Sequence, residues 1–137
     1  MTEKLLGGCF CGAVRYEAAG LASAIGFCHC ETCRKTHSAP FIGTALTPFD
    51  GFAWSKGRDR VTFIETSPGK RRYFCPSCGT HMMAEYPEAK RRLLRVGSID
   101  SPLPRSAAVH IWTSEKAAYF DFCDDLPKLP AGLPPAD

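Results

Sequence analysis

The chain has 137 residues, of which 45% are hydrophobic and 23% charged, with a formal charge of +3. That length supports one domain with its own core, and the ordinary balance excludes a disordered or collagen-like chain. No run of about eighteen apolar residues occurs, which excludes a membrane-spanning helix, and "MTEKLLGGCF" lacks the apolar stretch of a signal peptide, so a cytoplasmic protein is expected.

Residues 4–18 read as two short strands joined by a turn in which Gly8 and Gly12 bracket Cys9 and Cys11. Residues 22–28 read as a further strand, and "ETCRKT" allows one helical turn after Cys30. Residues 41–47 form a strand that "TPFDG" breaks. "RVTFIET", residues 60–66, alternates Val61, Phe63 and Glu65 with polar neighbours, the pattern of a half-buried strand. "SPGK" turns the chain, "RRYFC" returns as the second hairpin strand, and "THMMAEY" stays extended. "PEAKRRLLR" allows a helical turn or two, and "RRLLRVGS" a strand or a helix end. A strand is centred on residues 109–112, and residues 114–123 hold one helical turn. The pattern is mainly β, antiparallel, with no internal repeat. The domain is taken as residues 1–128, followed by a Pro-rich tail, 129–137, extended and loosely held. Trp54, Trp112, Phe41, Phe63, Phe74 and Val109 are assigned to the core.

The chemistry lies in eight cysteines. Seven are clustered as Cys9-x-Cys11, Cys28-x-Cys30-x-x-Cys33 and Cys75-x-x-Cys78; Cys123 stands alone. Disulfides belong to oxidising compartments, for which no export signal is present, so metal binding is the reading. Two cysteines two apart on extended backbone point to the same side, and both sulfurs can meet one ion. Thiolate is a soft ligand and selects zinc over magnesium or calcium. "CPSCG" makes a metal knuckle; a redox pair would need a helix after its first cysteine, and Gly79 with "THMMAEY" provides none. Seven thiolates and two divalent ions bring the formal charge to zero, which weakens a nucleic-acid reading.

Seven thiols divide as four plus three. Cys75 and Cys78 close a site either with Cys9 and Cys11 or with two of Cys28, Cys30 and Cys33. The compactness of Cys28–Cys33 favours the first division. The three-sulfur set then needs a fourth partner: His29, His37, His81, His110, Cys123, water or substrate. His29 lies between two ligands and points away from them on extended backbone. An open position is the mark of a catalytic zinc.

"GGCFCGAVRYE" (7–17), "CHCETCRK" (28–35), "RRYFCPSCGT" (71–80) and the ending "VHIWTSEKAAYFDFCDDLPKLP" (109–130) occur in order. Together they resemble the glutathione-dependent formaldehyde-activating enzyme family, which shares its domain with the centromere protein V group. The resemblance implies an Mss4-like fold of small antiparallel sheets with zinc-binding knuckles. It implies two zinc ions, one structural on Cys9, Cys11, Cys75 and Cys78, the other catalytic on Cys28, Cys30 and Cys33. The implied enzyme is a carbon–sulfur lyase similar to S-(hydroxymethyl)glutathione synthase, adding the thiol of glutathione to a small aldehyde such as formaldehyde. Three thiolates leave the second zinc with a net charge of −1, which blunts its Lewis acidity and favours capture of the thiol. One departure is His37 in "CRKTHSAPF", where the family commonly has a small residue. His29 and His37 are candidates for proton transfer. Arg34 and Lys35, with Arg71 and Arg72, are candidates for a basic rim facing the carboxylates of glutathione. The competing reading is a non-catalytic, zinc-stabilised module that binds protein or nucleic acid. "GKRRYF" and "EAKRRLLR" feed it; the Asp-rich "DFCDD" and the near-zero metallated charge oppose it.

Overall fold

The structure is a computed structural model and describes residues 3–103 and 108–133. The end of the Pro-rich tail, 134–137, lies outside the described residues. Strands β1 (Leu5–Gly8) and β2 (Arg15–Ala18) form a hairpin, and β5 (Phe52–Lys56) pairs with the outer edge of β2. These three make the smaller sheet, in the order β1-β2-β5. The larger sheet is built from β3 (Ile25–Cys28), β4 (Ile42–Thr47), β6 (Thr62–Ser67), β7 (Lys70–Phe74), β8 (His81–Tyr86), β9 (Arg91–Arg95) and β10 (Ala108–Ile111). Its order is β10-β3-β4-β9-β8-β7-β6. One helix, α1 (Glu31–His37), links β3 to β4. No helix among the described residues is long and apolar enough to cross a membrane.

Strand alternation gives the larger sheet two unlike faces. On one face Ala45, Leu94, Met83 and Tyr73 stand opposite one another across β4, β9, β8 and β7. Leu94 and Met83 pack there against Leu5, Tyr16 and Phe52 of the smaller sheet and form the main core. On the other face Cys28 is paired with Ile42, Thr44 with Arg95, and Leu93 with Ala84, which meets Arg72. That face carries the helix and the chemistry. A bulge between Tyr73 and Phe74 brings His81 opposite Phe74, and so onto the face of Arg72. The Phe74 and His81 rings stack at 5.3 Å.

The helix begins where Cys30, in extended conformation, accepts the Cys33 N–H on its sulfur, as an N-cap oxygen would. It ends at Ser38, whose left-handed φ of 52° stops propagation. Glu31 in the first turn and Arg34, Lys35 and His37 in the last complement the helix dipole.

The structure departs from the sequence reading in five places. The helix covers two turns, where one was expected. β6 is an edge strand with five of its six residues exposed, and Phe63 is 43% exposed, because among the described residues no strand pairs with its outer edge. Trp112 follows β10 with a φ of 55° and is 38% exposed, so it turns a corner and does not fill the core. β10 runs parallel to β3, the one parallel pair in the larger sheet. The start of the tail is held: the Trp112 N–H donates to Ala131, the Thr113 N–H to Leu129, and the Leu129 N–H to His110. This segment covers the outer edge of β10, which would otherwise present unpaired backbone groups.

Leu94 is fully buried between the sheets. Leu94→Ala should lower unfolding free energy by about 2–5 kcal/mol in denaturant titrations of the metal-loaded protein. A cost under about 1 kcal/mol would show that the inter-sheet core does not carry the fold.

Candidate metal and substrate site

The two sulfur groups arise at tight turns. In the first turn Gly12, at φ 79°, donates its N–H to the Cys9 carbonyl. In the knuckle after β7, Gly79, at φ 81°, donates to the Cys75 carbonyl at 2.7 Å. Both positions are left-handed, which only glycine adopts without strain. Residues 9–12 and 75–79 thereby turn back on themselves and offer two sulfurs each.

The sulfurs of Cys9, Cys11, Cys75 and Cys78 lie within 4.8 Å of one another. Cys9 and Cys11 are 3.6 Å apart, and Cys11 and Cys75 3.8 Å. An ion with four sulfurs at about 2.3 Å in a tetrahedron separates them by about 3.8 Å, so the donor set fits zinc. The same distances exclude disulfides, which need about 2.05 Å, and all eight cysteines are free. The Val14 N–H donates to the Cys9 sulfur at 3.2 Å. Thr80 ties the two turns together: its hydroxyl oxygen accepts the Phe10 N–H at 3.0 Å and lies 3.3 Å from the Cys78 sulfur. The Thr80 hydroxyl, followed by backbone hydrogen bonds, lowers the Cys78 thiol to about 5. Nothing in the sequence reading singled out Thr80, although its place directly after "CPSCG" is where a knuckle needs a donor.

Cys28, Cys30 and Cys33 form the second group, again within 4.8 Å. Cys28 ends β3, Cys30 caps α1 and Cys33 lies in its first turn. Hydrogen bonds from Cys28 and Cys30 hold the Cys33 thiol far below its ordinary range, aided by the charges of Arg95 and Arg72. The same bonds push Cys28 far above that range. Three sulfurs that oppose one another's ionisation need a cation to become thiolates together, which is the chemistry of a metal site. Among the described residues no histidine, carboxylate or fourth cysteine joins the group. His29, His37, His81, His110 and Cys123 therefore do not complete it.

Arg72 was read as part of an exposed rim. It is 1% exposed, and both Nη1 and Nη2 point to the Cys33 sulfur at 3.7 Å. Register explains this: its position in β7 faces the helix, whereas Arg71 alternates outward over the Phe63 ring. Arg34 donates from Nε to the His29 carbonyl at 3.1 Å and braces the Cys28–Cys30 stretch. Lys35 is exposed on the helix.

A cavity of about 530 Å³ is lined by His37, Ile42, Thr80, His81, Arg95 and Ser98 among others; no cysteine lines it, and it neighbours the second group through His37, whose ring bonds the Cys33 carbonyl. His37 and His81 lie 4.6 Å apart between ring centres. The His37 Nδ1–H donates to the Cys33 carbonyl at 3.1 Å, which leaves Nε2 with its lone pair and no partner. Burial, then Arg95 and His81, lowers His37 to about 4. Burial, then Arg95 and Arg72, also lowers His81. A second cavity of about 380 Å³, lined by Trp54, Tyr73 and Arg92, sits on the opposite face of the sheet and contains no cysteine or histidine.

His29 is fully buried and faces away from the sulfurs, as alternation predicts. Its ring sits among Phe41, Phe120 and Phe122. Its Nε2 meets His110 Nδ1 at 2.7 Å, and His110 Nε2 meets Asp124 at 3.0 Å. The hydrogen bond from His110 holds the Asp124 carboxyl down at about 2. The structure therefore does not bring His29 to the cavity. This chain of three was missed because residues 29, 110 and 124 meet only through the parallel pairing of β10 with β3.

His29 and His37 both titrate near 4 in the folded chain, against 6.5 for the free side chain, His29 mainly because of burial. Between those values the unfolded chain binds more protons, so stability falls as pH drops from about 6.5 to about 4. The melting temperature should fall between pH 7 and pH 5, and His29→Gln should lessen that fall. Cysteine protonation is common to both proteins, so an equal fall in each would exclude the histidine.

A family model described as glutathione-dependent formaldehyde-activating enzyme matches residues 4–115. A protein of Schizosaccharomyces pombe described as an uncharacterized lyase is 31% identical over 84 residues, which cover 61% of this chain and 59% of that protein. The crystal structure of a Rhodobacter sphaeroides protein, a structural genomics target, superimposes with a TM-score of 0.58 at 22% identity, covering 73% of this chain and 92% of the other. That likeness shows the fold.

Proposed function

The chain belongs to the glutathione-dependent formaldehyde-activating enzyme family, and from that premise we propose that it is a zinc-dependent carbon–sulfur lyase resembling S-(hydroxymethyl)glutathione synthase. It joins a thiol such as glutathione to a small aldehyde such as formaldehyde. The observation that carries this reading is the unequal grouping of seven sulfurs, four in one set and three in the other beside a cavity. Cys9, Cys11, Cys75 and Cys78 are read as holding a structural zinc, and Cys28, Cys30 and Cys33 a catalytic one. A zinc ion in the second set would supply a fourth position at which a thiol loses its proton near neutral pH and becomes nucleophilic.

The protein's own residues make that binding affordable in charge. Three thiolates and a divalent ion sum to −1, and the Arg72 guanidinium on Cys33 offsets it. His37 is the proton acceptor in this reading. Its Nε2 has no partner among the described residues, and its ring lines the cavity. His29, which the sequence offered as a second candidate, acts here only by holding the Cys28–Cys30 stretch through His110. Holding thiol and aldehyde together in the cavity adds a proximity contribution. Free thiols suit a reducing compartment, the basis for placing the protein in the cytoplasm. The binding-module reading loses one of its supports, since Arg72 of "GKRRYF" is buried on a sulfur and is not a surface charge.

Metal analysis should return two zinc ions per chain. In cobalt-loaded protein, glutathione should shift the visible absorption; an unchanged spectrum would rule out thiol capture. Cys33→Ser should abolish that response and leave the protein folded, whereas Cys75→Ser should unfold it. Arg72→Met should weaken glutathione at the cobalt site by about tenfold or more, because a charged hydrogen bond is lost beside a growing negative charge. Unchanged affinity would remove Arg72 from the account.

A further inference from the structure

We propose that Arg95 is a carboxylate receptor in the wall of the His37–His81 cavity, so that the thiol captured here is one that carries a carboxylate. Arg95 is 5% exposed and lines that cavity. One of its nitrogens is committed: Nη1 donates to the Thr44 hydroxyl at 2.8 Å. Nε and Nη2 are buried with no partner among the described residues. Those two nitrogens form one edge of the guanidinium, with their N–H bonds parallel. That edge matches the two oxygens of a carboxylate and forms paired, charge-assisted hydrogen bonds.

The alternatives within the chain fall short. Arg92, three residues earlier on β9, shows what this sheet does with a guanidinium it needs only for structure: its Nε meets Glu85 at 2.8 Å. Arg95 has no such carboxylate among the described residues, and no aspartate or glutamate lines the cavity. The nearest negative charge, at Cys33, already holds both terminal nitrogens of Arg72, and no sulfur is within hydrogen-bonding reach of the free Arg95 edge. Leaving two donors of a buried cation unpaired is costly. Both nitrogens are closed to solvent as the chain stands, so the edge meets a ligand when the Arg95 side chain turns into the cavity it lines, and a carboxylate there supplies both the acceptors and the charge. The cavity, at about 530 Å³, has room for a ligand of that kind.

The receptor stands on Arg95 alone; the claim about substrate class also rests on thiol capture at the three-sulfur set. The test separates the two. Zinc-loaded, 15N-labelled protein is titrated with acetate, and with acetamide as the neutral control. The Arg95 Nε–H resonance should move saturably with acetate and not with acetamide. Cobalt-loaded protein is then titrated with glutathione and with its diethyl ester, and the ester should bind about tenfold or more weakly. Arg95→Gln should erase that difference. If this variant does not fold, the resonance and the ester comparison in the wild-type chain still decide. An Arg95 resonance blind to acetate, or an ester that binds as well as the acid, overturns the proposal. A cobalt spectrum indifferent to both thiols, with Arg95 still answering acetate, overturns thiol capture and leaves the receptor in place.

Discussion

Four sulfurs from two turns converge where the two sheets meet, at the spacing a single ion would bridge. Cys9 and Cys11 leave the end of β1, in the smaller sheet; Cys75 and Cys78 leave the end of β7, in the larger. Cys11 and Cys75, 64 residues apart in sequence, are 3.8 Å apart in space. A loop that long is expensive to close by chain entropy alone. The inter-sheet core is modest: Leu5, Tyr16 and Phe52 on one side, Met83 and Leu94 on the other. A metal ion held by these sulfurs at its rim, where Cys9 and Cys75 are buried in that core, would supply closure that apolar packing otherwise has to provide. The position of everything on the far side of the larger sheet follows from this clamp.

On that far side, strand parity determines what meets what. Cys28, Thr44, Arg95 and Arg72 come from β3, β4, β9 and β7, yet pairing register puts them on one face. A slip of one residue in any pair would turn its cysteine or arginine into the inter-sheet core. The bulge at Phe74 performs the one local correction, turning His81 toward His37 without disturbing Met83 behind it. Fold and site are therefore one specification.

This explains which parts were legible in the sequence. Cysteines two or three apart constrain one another through local backbone geometry, so "CFC", "CHCETC" and "CPSCG" announce sulfur pairs before any tertiary structure is known. The outward turn of His29 followed from the same two-residue period. Partnerships fixed by long-range register did not show. Arg72 and Arg71 are neighbours in a run of basic residues, and only the pairing of β7 with β8 makes one a buried hydrogen-bond donor and the other a surface cation. The aromatic enclosure of His29 needs residues from 41, 120 and 122 brought together. The alternation in "RVTFIET" was real, but it cannot say whether a strand lies in the middle of a sheet or at its edge, and the edge left Phe63 exposed.

The two sulfur sets also differ in how their charge is met, a difference that supports the proposed division into a clamp and a reactive centre. In the four-sulfur set Cys11 is exposed and Cys78 half-buried, so solvent reaches it, and its donors are neutral: the Val14 amide and the Thr80 hydroxyl. A set screened by water needs no buried counter-ion. In the three-sulfur set Cys28 and Cys33 are buried, and the sheet sets two guanidiniums near them, one bonded to Cys33 and one with a free edge. Burying an arginine on a β-sheet face costs several kcal/mol unless something negative compensates it. One such cost is met by the thiolates already present. The second guanidinium meets the same thiolates only through space, and its free edge is paired only when another anion arrives, so the folded protein carries a hydrogen-bonding demand that its described residues do not satisfy. A clamp has no use for such a demand, whereas a binding site is defined by it.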